Sequence, residues 1–215
     1  VRVVIEPNPE AAASFAATWV AEEIRRRQSC VLALAAGATM GPVYAAIAKE
    51  HAQRALPFDR CRAFDLDEYV GLGSGDPRSF RYFVRGNLCA PVGIPDSAHD
   101  APDGLAADLE GECARYEAAI AQAGGIDLAV LGLGRNGHLA FNEPGSSLAG
   151  RTRVSVRGRL ALEVRRLAVQ RLRACPNERA RSRRRSQGPA LTLCVRLLRW
   201  SPQRACGLRR ARMAP

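Results

Sequence analysis

The sequence predicts an α/β fold: a three-layer sandwich around a mostly parallel, Rossmann-like sheet. Two observations carry that expectation. Apolar runs of strand length alternate with longer amphipathic stretches, and polar, glycine-rich turns follow the strands. Strands separated by helices join through right-handed crossovers, which leave the strands parallel.

Residues 2–5 are β-branched and apolar and predict a short first strand. Residues 9–27 predict a helix, with Pro9 suited to its first turn and Phe15, Trp19, Val20 and Ile24 on roughly one face. Residues 30–35 form an apolar run fit for a buried parallel strand. A helix is expected over 42–50, a third strand over 61–65, helices over 78–88 and 105–123, and another strand over 126–131. Three loops then leave carboxyl strand ends: 36–41, 65–71 and 132–143. In a parallel sheet those ends share one edge, so the loops converge on one cleft.

Charge divides the chain. Residues 1–150 hold 13 basic and 19 acidic side chains, a net of −6, whereas 151–215 hold 19 and 2, a net of +17. Every basic residue of the second segment is arginine, and Lys49 is the only lysine in the chain. The run RSRRRS at 181–186 repels itself in any compact setting. Residues 191–198 fit a short strand or helix; otherwise the C-terminal part is expected to be irregular. The division predicts an α/β domain over 1–154 and an arginine-rich segment over 155–215. The seven cysteines are scattered and form no C-x-x-C pair. That fits free thiols in a reducing compartment, and a cytoplasmic location is expected. No run of eighteen apolar residues predicts a membrane span, and VRVVIEPNPE does not resemble a signal peptide.

Three segments carry chemistry. GLGRNGHLAFNEPGSS, from Gly132 to Ser147, puts His138 in a glycine-rich turn after a strand, with Glu143 five residues on. Gly132 to Gly137 matches G-x-G-x-x-G. A dinucleotide site needs a helix next, which Asn142, Pro144 and Gly145 interrupt, and an acid about twenty residues on, where Arg157 stands. A proton-transfer role for His138 is favoured over a structural one. Glu143 either orients or tunes the imidazole or lies at a helix start. Asp65, Asp67 and Glu68 cluster at the end of the third strand, with Asp65 and Asp67 expected on one face. They fit a solvated strand end, a magnesium site or a general base. Gly37, Ala38 and Thr39, between strand and helix, fit an anion cradle or an ordinary tight turn.

Together these segments resemble the glucosamine-6-phosphate deaminase family. The matching strings are AAGAT at 35–39, FDLDEYVGL at 64–72, the SF-Y-F-R-N-L pattern of 79–88, and LGLGRNGHLAFNEPGSSLAGRTRV at 131–154. They cover about the first 154 residues, in the family's order and spacing. The related 6-phosphogluconolactonases share the fold but lack the DEYVGL string. The resemblance implies conversion of glucosamine 6-phosphate and water to fructose 6-phosphate and ammonia, with no metal or organic cofactor. By the resemblance, Asp67 removes the C2 proton and passes it to C1. His138 opens the pyranose ring, assisted by Asn136 and Glu143, and the loop of Gly37, Ala38 and Thr39 holds the phosphate. Many members carry Asp at position 136. An amide there orients His138 without adding negative charge, so ring opening is expected to lean more on Glu143.

The resemblance also implies a cytoplasmic enzyme of amino-sugar catabolism whose partner is a small sugar phosphate. Homo-oligomers are common in the family, and Ser146 and Arg153 match positions linked to an N-acetylglucosamine 6-phosphate effector in some members. From Val154 onward no family element aligns. An all-arginine segment with scattered Cys, Pro, Ser and Gly is what an out-of-frame reading of a GC-rich gene produces, and a frameshift is expected. The competing readings are a catalytically silent relic of the fold and a non-specific nucleic-acid binder acting through the tail. With Trp200 as the tail's one aromatic residue, base stacking is scarcely available and a nucleic-acid partner is not expected.

Overall fold

The computed structural model describes residues 3–134, 136–147, 150–156 and 191–194. Helix α1 (Pro9–Arg27) leads through strand β1 (Val31–Leu34) to helix α2 (Met40–Arg54). Strands β2 (Arg62–Asp65) and β3 (Asp67–Tyr69) follow, with Leu66 between them. Helix α3 (Phe80–Val84) widens into a π turn over Arg85–Cys89. Then come strand β4 (His99–Asp100), helix α4 (Leu109–Gln122), strand β5 (Leu128–Val130), strand β6 (Arg153–Val156) and strand β7 (Leu191–Cys194).

Four strands form a parallel sheet in the order β4-β2-β1-β5. The chain moves one way from β1 to β2 and β4, then crosses back to place β5 on the other side of β1. That reversal opens a crevice beyond the carboxyl ends of β1 and β5, where sheets of this kind take ligands. A second sheet, β3-β7-β6, is antiparallel. The strand expected within 191–198 is thus β7, between β3 and β6, while 195–198 lie outside the described residues, as do the arginine runs of 157–190.

Local chemistry explains the boundaries. The Asn8 side chain accepts the Ala11 N–H at 2.8 Å and opens α1, with Pro9 behind it. The buried stripe of α1 is Ala13, Ala17, Val20, Ala21 and Ile24, which packs on α2. Phe15 and Trp19 instead flank that stripe and stay 38% and 48% exposed, because alanines let the two helices approach closely. Helix α4 starts at 109, later than the sequence suggests. Asp108 caps it by accepting the Glu110 and Gly111 N–H groups, and a side chain at Gly111 would collide with that carboxylate. Residues 3–5 form no strand: Val3 and Ile5 are 78% and 91% exposed. A β-branched run becomes a strand only where a partner edge is offered, and none of the described strands pairs with it.

The layers follow from strand alternation. Leu32 and Leu34 join the core made with α1 and α2, and Val31 and Phe64 meet Tyr116 of α4. Asp127 ties three elements at the foot of the sheet. Its carboxylate accepts the Val31 N–H at 2.9 Å and pairs with Arg27 at 3.1 Å. Cys30 and Cys61 are buried free thiols, and burial pushes them up to about 12 and about 11. Among the described residues no helix is long and apolar enough to cross a membrane.

Candidate functional site

Three loops meet at the carboxyl edge of the parallel sheet. Leu34, at the end of β1, is paired with Asp65 of β2 on one side and Val130 of β5 on the other. The loops after these strands therefore leave the sheet side by side.

The loop after β1 turns at Gly37, whose φ of +124° favours glycine. The Tyr44 hydroxyl holds it from below by donating to the Ala35 carbonyl. Ala38 and Thr39 are exposed, and Thr39 occupies the cap position of the fifteen-residue α2. Its side chain makes no capping bond, and no acid lies in the first turn of α2. The helix thus presents uncapped N–H groups and the positive end of its dipole to the crevice.

At the end of β2 the three clustered carboxylates separate. The chain passes from the parallel sheet into the antiparallel one at Leu66, so Asp65 and Asp67 lie on different strands, not on one strand face. Asp65 is buried, and its Oδ1 lies 2.9 Å from His99 Nε2 on β4. Burial raises its pKa, and the bond to His99 partly offsets that. Glu68 is also buried. Its oxygens accept the Ser79 hydroxyl and the backbone N–H groups of Tyr69, Phe80 and Arg81. It is a structural carboxylate that starts α3. Asp67, at the head of β3, is 5% exposed. Its charge and that of Asp65 both reach Tyr44, which carries the phosphate-loop side of the crevice. Among the described residues no three Asp, Glu, His or Cys side chains gather as metal ligands.

The loop after β5 is built around His138. Leu133 and Leu139 bridge, the Gly134 N–H donates to the His138 carbonyl at 2.8 Å, and Gly137 turns at φ +87°. The imidazole lies over Gly134, where a Cβ would collide with the ring. A second tight turn reverses the chain between Leu139 and Asn142, with Ala140 at φ +52°. Asn136 Oδ1 accepts from the His138 backbone N–H at 3.2 Å and lies within hydrogen-bond reach of His138 Nδ1. Its Nδ2 donates to Glu143 Oε2 at 2.7 Å. These bonds set the amide's orientation, and an accepting oxygen requires the proton on Nδ1. His138 Nε2 is then the nitrogen open to a ligand's proton. Pro144 and Gly145, with Gly145 at φ +89°, close the loop in the turn that bonds the Ser146 N–H to the Glu143 carbonyl.

The β3 and β5 loops are locked together. Tyr69 packs on Phe141 at 5.4 Å, and Phe80 on both rings at 4.8 and 5.4 Å between centroids. Arg153 on β6 donates to Asn142 Oδ1 at 2.8 Å. Sequence reasoning missed this trio, the Asp65–His99 pair and the grip of Arg153 on the loop. Phe80 and Phe141 stand inside the matched strings, so the aromatic spacing was a usable signal. His99, in a two-residue strand, offered none.

The comparisons with known proteins agree with this architecture. Residues 8–159 match the family model for glucosamine-6-phosphate isomerases/6-phosphogluconolactonase. The chain belongs to that family. It is 48% identical over 153 residues to a glucosamine-6-phosphate deaminase of Arthrobacter sp. (strain FB24), covering 71% of this chain and 58% of the relative. A deaminase of Mycolicibacterium smegmatis is 44% identical over 152 residues, with the same coverage. The chain thus spans about 58% of the length of these relatives. Among solved structures, a monomeric glucosamine-6-phosphate deaminase superposes with a TM-score of 0.78 at 30% identity, over 91% of this chain and 76% of the other. A 6-phosphogluconolactonase from Trypanosoma brucei shares the fold, with a TM-score of 0.65 at 18% identity over 90% of this chain and 75% of the other. Within the family, the site loops 36–41, 65–71 and 132–143 all fall inside the matched residues.

Proposed function

We propose that this chain acts as a glucosamine-6-phosphate deaminase, taking glucosamine 6-phosphate and water to fructose 6-phosphate and ammonia. The observation that carries the reading is the hydrogen-bonded run from Glu143 through Asn136 to His138, held against the Asp67 strand by Tyr69 and Phe141. Opening an aminosugar ring needs a group that takes a proton from the anomeric hydroxyl and gives one to the ring oxygen. A neutral imidazole with Nε2 free does both in turn. Asn136 fixes the ring, and Glu143 places a negative charge behind the amide, which favours the imidazolium formed in passing. In the open chain Asp67 takes the C2 proton and returns it to C1. The nitrogen-bearing C2 becomes an imine, which water hydrolyses to the ketone and ammonia. Gly37, Ala38 and Thr39 anchor the phosphate on the N-terminus of α2, fixing C1 and C2 over the carboxylate.

The substrate class is a small sugar phosphate. The chemistry assigned here uses no metal or organic cofactor. A cytoplasmic location and a homo-oligomer belong to the same proposal, as does an effector contact at Ser146 and Arg153. The family match ends at 159, which supports a domain boundary near 154 and an out-of-frame origin for the rest. Reading the coding DNA in all three frames tests that origin: an intact in-frame tail with no better reading in another frame defeats it.

The activity is tested by ammonia release from glucosamine 6-phosphate on the purified chain beside an Asp67→Asn variant. The chain is expected to release ammonia, and Asp67→Asn to lose at least a hundredfold, roughly the lower bound for a general base. A folded chain that releases none belongs instead to a silent branch of the family.

A further inference from the structure

A cavity of about 530 Å³ opens between the 72–75 turn and the 101–105 loop, within the size range of small-molecule sites. Glu68 lines it, whereas Asp67, Thr39 and His138 do not. Successive strand residues point to opposite faces, so the cavity lies on the other side of β3 from the Asp67 carboxylate.

Its walls are pinned. The Gly71 N–H donates to the Gly104 carbonyl at 2.7 Å, and a side chain at Gly104 would collide with the Tyr69 and Leu72 carbonyls. The Asp103 N–H donates to Glu112 at 2.8 Å, and Asp103 Oδ1 accepts the Leu105 N–H at 2.9 Å. Arg81 is the lining cation. Its neighbours in sequence, Arg78 and Arg85, are paired with Asp76 and Asp96. The Arg81 guanidinium has no hydrogen-bond or ion-pair partner among the described residues, and only its backbone N–H is engaged. Glu68 cannot neutralise it, because four donors already occupy that carboxylate. Asp103 lies exposed on the other wall with an oxygen to spare. One face thus offers a planar fork of donors and the other offers acceptors.

We propose that this cavity is a second ligand site, taking a small polar molecule with an oxyanion at one end and hydroxyl or amino donors at the other. Arg81 grips the oxyanion, phosphate or carboxylate, through paired N–H bonds. Asp103 accepts from the far end, and the Ser74 hydroxyl adds a donor beside Arg81. The site does not rest on the deaminase reading, since none of the groups proposed for that chemistry lines it.

The test is hydrogen–deuterium exchange on the full chain with glucose 6-phosphate, gluconate or glucose. It reads the 72–75 and 101–105 segments separately from the 36–41 loop and independently of ammonia release. One of the two anions is expected to protect 72–75 and 101–105, and which one does so tells phosphate from carboxylate. Glucose is expected not to protect them. Arg81→Gln is expected to weaken that protection about tenfold or more in ligand concentration. Asp103→Asn, which keeps the oxygen for the Leu105 N–H, removes the charge without touching the core and is expected to weaken it less. Equal protection by glucose, unchanged protection in both variants, or none with any of the three ligands overturns the site.

Discussion

Gly134 is as much a part of the imidazole's position as Asn136. The ring rests where a Cβ would be, so any side chain there pushes His138 aside, although φ at this residue is not positive and the backbone tolerates alanine. Gly134→Ala is therefore expected to fold normally and lower kcat about a hundredfold, the scale of a 1 Å misplacement. Circular dichroism alongside ammonia release checks both halves. Glu143 acts one residue further away. Glu143→Gln keeps an acceptor for Asn136 and removes the charge, so turnover of the cyclic sugar is expected to fall roughly ten- to hundredfold, with KM little changed. Unchanged turnover would remove Glu143 from ring opening. His138, Asn136 and Glu143 were legible because a lone His in a glycine turn after a strand has few structural uses. Glu68 was not, because a carboxylate that caps a helix eleven residues downstream looks in sequence like one more acid in a cluster.

Strands and helices were legible wherever burial and period agreed. The apolar runs ending at Leu34 and Val130 became β1 and β5, and Asp108 and Asn8 stopped their helices by capping chemistry. The break at Leu66 was hidden, because a strand that changes sheets keeps its apolar and acidic alternation. Its consequence is the Asp65–His99 pair, closed in by Tyr44, Tyr116 and Cys89, with Arg81 and Glu68 the nearest other charges. Burial raises the Asp65 pKa, so between the ordinary value of 3.8 and the raised one the folded chain binds more protons than the unfolded chain. By linkage, the Asp65 contribution to stability is full below 3.8 and declines as pH rises through that window. Asp65→Asn keeps an acceptor for His99 and has nothing to titrate. Thermal melts from about pH 4 to pH 7 are then expected to show the variant gaining on the parent as pH rises. A gap that narrows instead would mean that the pair is held as an ion pair in the fold.

At the scale of the whole chain, the two charge regimes have to coexist. The first 150 residues carry a net of −6 and the rest a net of +17, with the densest arginines at 181–185, outside the described residues. Seventeen net positive charges cannot be balanced by the six negative ones of the α/β domain, so the chain as a whole attracts polyanions. The attraction is electrostatic and carries no sequence code: the single aromatic residue beyond 150, Trp200, leaves no row of stacking platforms. Binding to duplex DNA is therefore expected at low salt, equal for unrelated sequences of one length. It should weaken linearly in log affinity against log salt, with a slope of about −0.9 per phosphate neutralised. Replacing Arg181, Arg183, Arg184 and Arg185 with Gln is expected to flatten that slope by up to about 3.6. Fluorescence anisotropy across a salt series reads the slope directly. A salt-insensitive complex, or a strong preference for one DNA sequence, would show that the tail is a recognition element rather than a charge reservoir, and the out-of-frame origin would fall with it.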